Sequence, residues 1–238
     1  MTLLLGAASA ILGLGSMAWL GWFLVRGSVS VWPLGLSEAG TLALDAVLAL
    51  VFMAQHSGMI RERFRRKLAG VVPPSRHPAL YGTASGLALV VMLAGWQRSA
   101  QVVWSLDGAG RLAVAAVWLA AAAWSAWAVR SLGSFDALGL DALLAGRRAG
   151  ERPTPTGALI IRGPYRLVRH PLYTAALVYV WTAPTVTADR LLLAVLWTVW
   201  MVLGARWEER DLVERFGEPY RAYQRTVPML APLPRRAR

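Results

Sequence analysis

Reactive side chains are scarce in this chain, and their positions limit the chemistry they can support. It has no cysteine, which excludes disulfides, thiolate metal sites and a cysteine nucleophile. Its three histidines, His56, His77 and His170, stand singly rather than in a ligand cluster, so no metal site is expected. No G-x-G-x-x-G follows a strand and no P-loop pattern occurs, which argues against a soluble nucleotide-binding domain. The densest set of reactive groups is RGPYRLVRHPLY, residues 162–173, directly before an apolar run. Interface anchoring explains its arginines and tyrosines, because long cations and amphipathic rings favour a membrane headgroup region. It does not explain His170. A second set shares one helical face: Thr41, Asp45, Phe52 and His56, since eleven residues make about three turns. Asp45 falls about 10 Å inside the outer end of that helix, where a charge is costly in a bilayer. It either lines a bundle interior or wet cavity, or snorkels outward.

The elements that position these groups read as membrane helices. The chain has 238 residues, 56% hydrophobic and only 16% charged, with a mean hydropathy of +0.46; soluble domains carry about 25% charged residues. Crossing a hydrocarbon core about 30 Å thick takes about 20 apolar residues, and such segments fall near 3–25, 38–57, 79–96 and 111–129. The first has the small residues of a signal peptide, but it lacks a charged n-region and runs apolar to Val25, so it reads as a span. Two shorter runs follow, 172–186 and 191–205, separated by TADR, with Pro184 near the end of the first. Each is about 22 Å long as helix, so the pair is expected to form a helical hairpin rather than two long independent spans.

Net charge is +12, so the cations must be placed before a partner class is chosen. They flank apolar runs instead of forming one basic soluble domain, which argues against nucleic acid and for membrane lipid. Six lie in 61–77, seven in 130–169 and eight from Arg206 onward. Alternation through four spans puts all three segments on the side of the N-terminus. Arg26, Arg98, Arg111 and Arg190 fall on the other side. By the positive-inside rule the cation-rich face is cytoplasmic, with both termini. Twelve tryptophans, many near predicted span ends, fit an aromatic belt.

The long polar segments gather on that face. AGRRAGERPTPTG is a breaker-rich loop. ARWEERDLVERFGEPYRAYQRTVPML places Leu212 and Phe216 at i, i+4 among charges, as in an amphipathic helix ending near Gly217 that lies at the interface or caps the bundle. RHPALY (76–81) and RHPLY (169–173) echo each other, but the sequences after them do not match. Each reads as Arg and His at the interface followed by a proline at a helix start.

RGPYRLVRHPLY, a short apolar hairpin and then WEERDLVERFGEPYRAYQRTVPML resemble the membrane-embedded methyltransferases related to isoprenylcysteine carboxyl methyltransferase and phospholipid methyltransferases. RHP-x-Y, paired glutamates, FG-x-x-Y-x-x-Y and a closing proline, in that order, carry the resemblance. Over nearly the whole chain, QHSGMIRERF, VVWSLDGAG, GSFDALGL, WTAPTVT and EERDLVERFG are similar to the methanethiol S-methyltransferase group and its NnrU-like relatives. The chain departs from that group at SRHPALYG, and it has Ala175 where a glycine is often found.

The resemblance implies an all-α integral membrane fold: one domain over 1–238, with a four-span bundle over 1–129 and a cofactor loop, helical hairpin and amphipathic helix over 130–238 that form a cytoplasmic cofactor cap. It further implies an S-adenosylmethionine site, with S-adenosylhomocysteine as product. His170 and Tyr173 would contact the cofactor, Arg169 would pair with its carboxylate, and Glu208 and Glu209 would meet its ammonium or ribose hydroxyls. Gly163, Pro164 and Tyr165 would shape a lid. The expected acceptor is a small hydrophobic thiol such as methanethiol, giving a thioether; a prenylcysteine carboxylate or a lipid is the alternative. A carboxylate arrives ionised, whereas a thiol near the free-cysteine value of about 8.5 needs a base or a nearby cation. His56 and Arg61 are the candidates for those two tasks. A different class, a non-enzymatic transporter or assembly protein on the same scaffold, predicts that the cofactor residues do not converge.

Overall fold

The computed structural model describes residues 2–132 and 159–231. The motif GSFDALGL, the loop AGRRAGERPTPTG and the last seven residues lie outside them. Eight α-helices occur among the described residues: α1 Thr2–Arg26, α2 Glu38–Ile60, α3 Glu62–Ala69, α4 His77–Gly95, α5 Ala109–Leu132, α6 Pro171–Trp181, α7 Ala188–Phe216 and α8 Glu218–Thr226. Two short strands, β1 Val102–Ser105 and β2 Thr185–Thr187, pair with each other, a small addition to a fold otherwise expected to be all α. Helices α1, α2, α4 and α5 correspond to the four expected spans, and α7 is a fifth helix long and apolar enough to cross a membrane.

The hairpin needs correction. Its first arm, α6, has 11 residues, but its second is not a 15-residue arm followed by a separate amphipathic helix. Apolar run and charged segment form one helix, α7, of 29 residues, about 43 Å long. The reason is local. From Arg190 to Phe216 the sequence changes polarity without meeting a glycine cluster or a proline, and a polarity change alone does not end a helix. Gly217 does, with φ +62°, a conformation that disfavours side chains. That endpoint agrees with the expected one.

Contacts divide the described chain into two compact units. The first holds residues up to 104 with 185–193. Within it α1 and α4 approach closely: a Cβ on Gly86 would lie 2.7 Å from the backbone carbonyl of Leu12, so only a glycine permits this crossing. Helix α2, started by Ser37 whose hydroxyl accepts from the Gly40 N–H at 3.2 Å, buries Thr41, Asp45, Ala49, Phe52 and Met53. Asp45 therefore points inward. Its Oδ1 accepts from the Gln97 N–H at 2.8 Å, just past the end of α4. Asp189 plays a matching part, accepting from Trp96 Nε1 and the Ser99 N–H, each at 3.0 Å. Arg190 is buried as well, donating to the carbonyls of Phe23 at 2.8 Å and Leu24 at 3.0 Å. A cation on the last carbonyls of α1 complements the negative end of that helix.

The second unit holds 105–132, 159–184 and 194–231 of the described residues. Here two tryptophans of α5 do more than sit in a belt. Trp124 Nε1 donates to the Pro171 carbonyl at 2.9 Å and Trp118 Nε1 to the Thr182 carbonyl at 2.7 Å. They thus give side-chain donors to backbone acceptors at both ends of the short α6.

Replacing Gly86 by Ala forces α1 and α4 apart, an overpacking cost of about 1–3 kcal/mol. Gly15→Ala, with nothing within 4 Å of the added methyl, serves as the control. Thermal unfolding of the detergent-purified protein should show a Tm drop for the first variant and almost none for the second.

Candidate functional site

The second unit brings together most of the residues that the sequence singled out. Proline at 171 keeps the preceding residue out of the helical region, and His170 accordingly has non-helical backbone (φ −124°, ψ 69°) at the start of α6. The freed amides pair with the closing segment of the chain: Arg169 N donates to the Pro228 carbonyl at 2.9 Å and His170 N to the Met229 carbonyl at 3.1 Å. The Thr174 hydroxyl donates to the Leu230 carbonyl at 2.6 Å.

Side chains converge on Glu209 of α7. Its Oε1 accepts from Arg169 Nε at 2.5 Å and lies 3.2 Å from His170 Nε2. Oε2 accepts from Gln224 Nε2 of α8 at 2.9 Å. Arg169 also donates through Nη1 to the carbonyls of Gln224 and Val227. Arg169 thus holds a protein carboxylate and the turn after α8. Glu208, on the neighbouring position, differs: its side chain is 50% exposed and its Oε2 lies 3.7 Å from His170 Nδ1.

Arg169, His170 and Glu208 border a cavity of about 400 Å³, whereas Glu209, expected to meet the cofactor, lies behind its wall; the volume is within the range of about 300–1,000 Å³ for small-molecule sites. Tyr165, Arg169, His170, Tyr173 and Glu208, all expected at the site, line it. The rings of His170 and Tyr173 stack at 5.5 Å. Gly163 and Pro164 belong to the 3-10 turn Gly163–Arg166. Gly163 has φ +58°, and a Cβ there would collide with the Ser131 hydroxyl, so glycine is required by both conformation and space.

Other wall residues were not assigned to the site from sequence: Leu132, Leu159, Leu212, Phe216, Tyr220 and Tyr223. The i, i+4 pair Leu212 and Phe216 is expected on a helix that lies at the interface or caps the bundle, and the two tyrosines of FG-x-x-Y-x-x-Y carry the resemblance without a site role. Tyr220 is 1% exposed, and its hydroxyl has no hydrogen-bond partner among the described residues. Burial, and then the charge of Glu208, pushes the Tyr165 phenol up to about 12. Burial raises Tyr220 and Tyr223 further. All three are neutral hydroxyls at physiological pH, able to donate.

His56 and Arg61 belong to the first unit, near the end of α2. His56 Nε2 lies 2.7 Å from the Tyr81 hydroxyl, which comes from RHPALY. Arg61 is the exposed residue at which α2 ends. The other histidine of that motif, His77, is bonded through Nε2 to the Val72 carbonyl at 2.9 Å, a local tie at the start of α4. Among the described residues no group of three or more His, Asp or Glu is arranged to hold a metal ion.

A family model described as phospholipid methyltransferase matches residues 111–219, a stretch running from α5 to the first residues of α8. With this match and its apolar helices, the chain is an integral membrane methyltransferase. Among curated proteins it is 36% identical to the methanethiol S-methyltransferase of Pseudomonas sp. (strain GM41(2012)), over 84% of this chain and 75% of the relative. The enzyme of the same name from Pseudomonas deceptionensis is 36% identical over 86% and 76%. That of Mycobacterium tuberculosis (strain ATCC 25618 / H37Rv) is 34% identical over 82% and 80%. The chain belongs to the methanethiol S-methyltransferase family. No solved structure matches it.

Glu209→Ala strands the buried Arg169, and breaking such a pair costs about 3–5 kcal/mol. Glu208→Ala removes a half-exposed partner and should cost less than about 1 kcal/mol. Chemical unfolding of both variants, without ligand, checks the contrast.

Proposed function

We propose that the chain works as one domain that transfers a methyl group from S-adenosylmethionine to a small thiol, methanethiol being the first candidate, at a site on the cytoplasmic face of the membrane. The observation that carries the donor assignment is the pocket of the second unit. It combines carboxylate, guanidinium, imidazole and phenol groups with apolar walls and one buried hydroxyl that lacks a partner among the described residues. A zwitterion that also bears a sulfonium and a nucleoside requires this mixture of charge signs and ring faces within a few ångströms.

When bound, S-adenosylmethionine supplies a methyl group on a positively charged sulfur, an electrophile for in-line displacement. Glu208, half exposed beside His170, is placed to meet an ammonium or ribose hydroxyls. Tyr173, stacked on His170, offers a ring face to a cation, and Tyr220 offers its unused hydroxyl. Arg169 and Glu209, which neutralise each other, hold the walls in place; this assigns them a positioning part rather than a direct charge contact. Gly163, Pro164 and Tyr165 close the pocket at the 3-10 turn. Leu132, Leu159, Leu212 and Phe216 exclude water, which strengthens the remaining electrostatic contacts. On the acceptor side His56 takes the thiol proton and Arg61 favours the thiolate. The names of the relatives support a thiol over a prenylcysteine carboxylate or a lipid headgroup.

Calorimetry of the purified protein should give saturable S-adenosylmethionine binding that Tyr173→Ala and His170→Ala weaken at least tenfold. Wild-type protein that is folded and does not bind contradicts the donor assignment. For the acceptor, methanethiol should be converted to volatile dimethyl sulfide. His56→Ala should lower turnover at least tenfold while leaving donor affinity within about twofold, since a general base contributes about 10²–10⁴. Equal losses in both quantities remove His56 from proton transfer.

A further inference from the structure

Helix α3 follows α2 after a single break at Arg61, where the backbone leaves the helical region (φ −67°, ψ 138°). With Arg61 the segment RERFRRKLA carries five cations against one acid, Glu62. Phe64 and Leu68 are one turn apart and share a face. At about 100° per residue, Arg63 and Lys67 border that face on one side and Arg65 on the other. Phe64 is 39% exposed, Ile60 just before the helix 58%, and Val71 just after it 86%. Eight residues span about 12 Å, so this charged helix cannot cross a bilayer.

Its surroundings fix where it lies. It connects the end of α2 to the start of α4, two membrane helices of the same unit. On the return side, Val71 and Val72 donate their amides to the Leu68 carbonyl, and His77 Nε2 bonds the Val72 carbonyl. A short helix joining two spans at the same end stays at the membrane surface. An exposed apolar stripe bordered by cations is the composition of a helix that lies in the interface plane.

We infer that α3 is a binding site for acidic phospholipid headgroups. Phe64 and Leu68 enter the acyl boundary, with Ile60 and Val71 extending the apolar edge. Arg63, Arg65 and Lys67 meet the phosphates, their stems lying along the apolar edge and their heads reaching water and phosphate, while Arg66 on the opposite face adds to the local positive potential. Guanidinium forks match phosphate oxygens in pairs, and four to eight cations directly beside a span end favour anionic lipid. Neither methyl transfer nor the pocket of the second unit enters this inference.

Because the chain has no cysteine, one introduced thiol can be labelled uniquely. Phe64→Cys, carrying a polarity-sensitive fluorophore, is reconstituted as full chain into vesicles of phosphatidylcholine alone or with phosphatidylglycerol added. Asp107→Cys, on a side chain that is 89% exposed, reports a water-facing connection. The label at 64 should emit at shorter wavelength and be quenched more by lipid-borne quencher in the anionic vesicles. The difference should fade between 0.1 M and 1 M salt, as the screening length drops from about 10 Å to about 3 Å. Arg63→Gln, Arg65→Gln, Arg66→Gln and Lys67→Gln together should abolish it. Equal emission in both vesicle types, or a response that survives 1 M salt, overturns the inference. The salt arm keeps the charges intact and decides the matter even where the fourfold variant does not fold.

Discussion

The carboxylate of Glu209 is the point on which the second unit depends. A buried carboxylate is costly unless each oxygen finds a donor, and here Arg169, His170 and Gln224 supply them. Those donors come from the segment before α6 and from α8, while Glu209 itself sits on α7. One charge therefore fixes three elements. Arg169 extends the same network to the carbonyls after α8, and the closing proline segment pairs with the amides of residues 169 and 170. The pocket walls inherit their spacing from this arrangement, since His170 and Tyr173 lie on one side of it and Tyr220 and Tyr223 on another.

The first unit meets a similar problem less completely, since Asp45 Oδ2 has no hydrogen-bond partner among the described residues. Asp45 and Asp189, both fully buried, accept from backbone amides and an indole that follow α4, and Arg190 closes the last turn of α1. In each unit a charged group is retained where apolar residues would be less costly, and each such group ties chain segments far apart in sequence. Within lipid, loops and helix ends must find their partners inside the protein; Trp118 and Trp124 do this for α6 at the level of single carbonyls.

Much of the fold was legible because hydrophobic length is a strong signal: four spans emerged at nearly their observed limits, as did the helix end at Gly217. The length of α7 was not, because a window of hydropathy stops at Arg206 while the hydrogen-bond ladder continues to Phe216. The motif residues Tyr165, Arg169, His170, Tyr173 and Glu208 border one cavity, and Glu209 does not. What pattern could not reveal was direction. Leu212, Phe216 and Tyr220 look the same in sequence whether they face lipid or a pocket. The engagement of Arg169 by Glu209 and by main-chain carbonyls some 55 residues away likewise depends on folding back of the tail, which leaves no local signature.

The chain is thus a membrane methyltransferase, and in its second unit a neutralised ion pair frames a pocket lined by half-exposed Glu208 and the neutral phenols of Tyr165 and Tyr220. The most direct test is an experimental structure of the protein bound to S-adenosylhomocysteine. Ligand density is expected in the cavity between the His170–Tyr173 stack and Tyr220, with Arg169 still bonded to Glu209. Density elsewhere, or an Arg169 that has left Glu209 for the ligand carboxylate, contradicts this expectation.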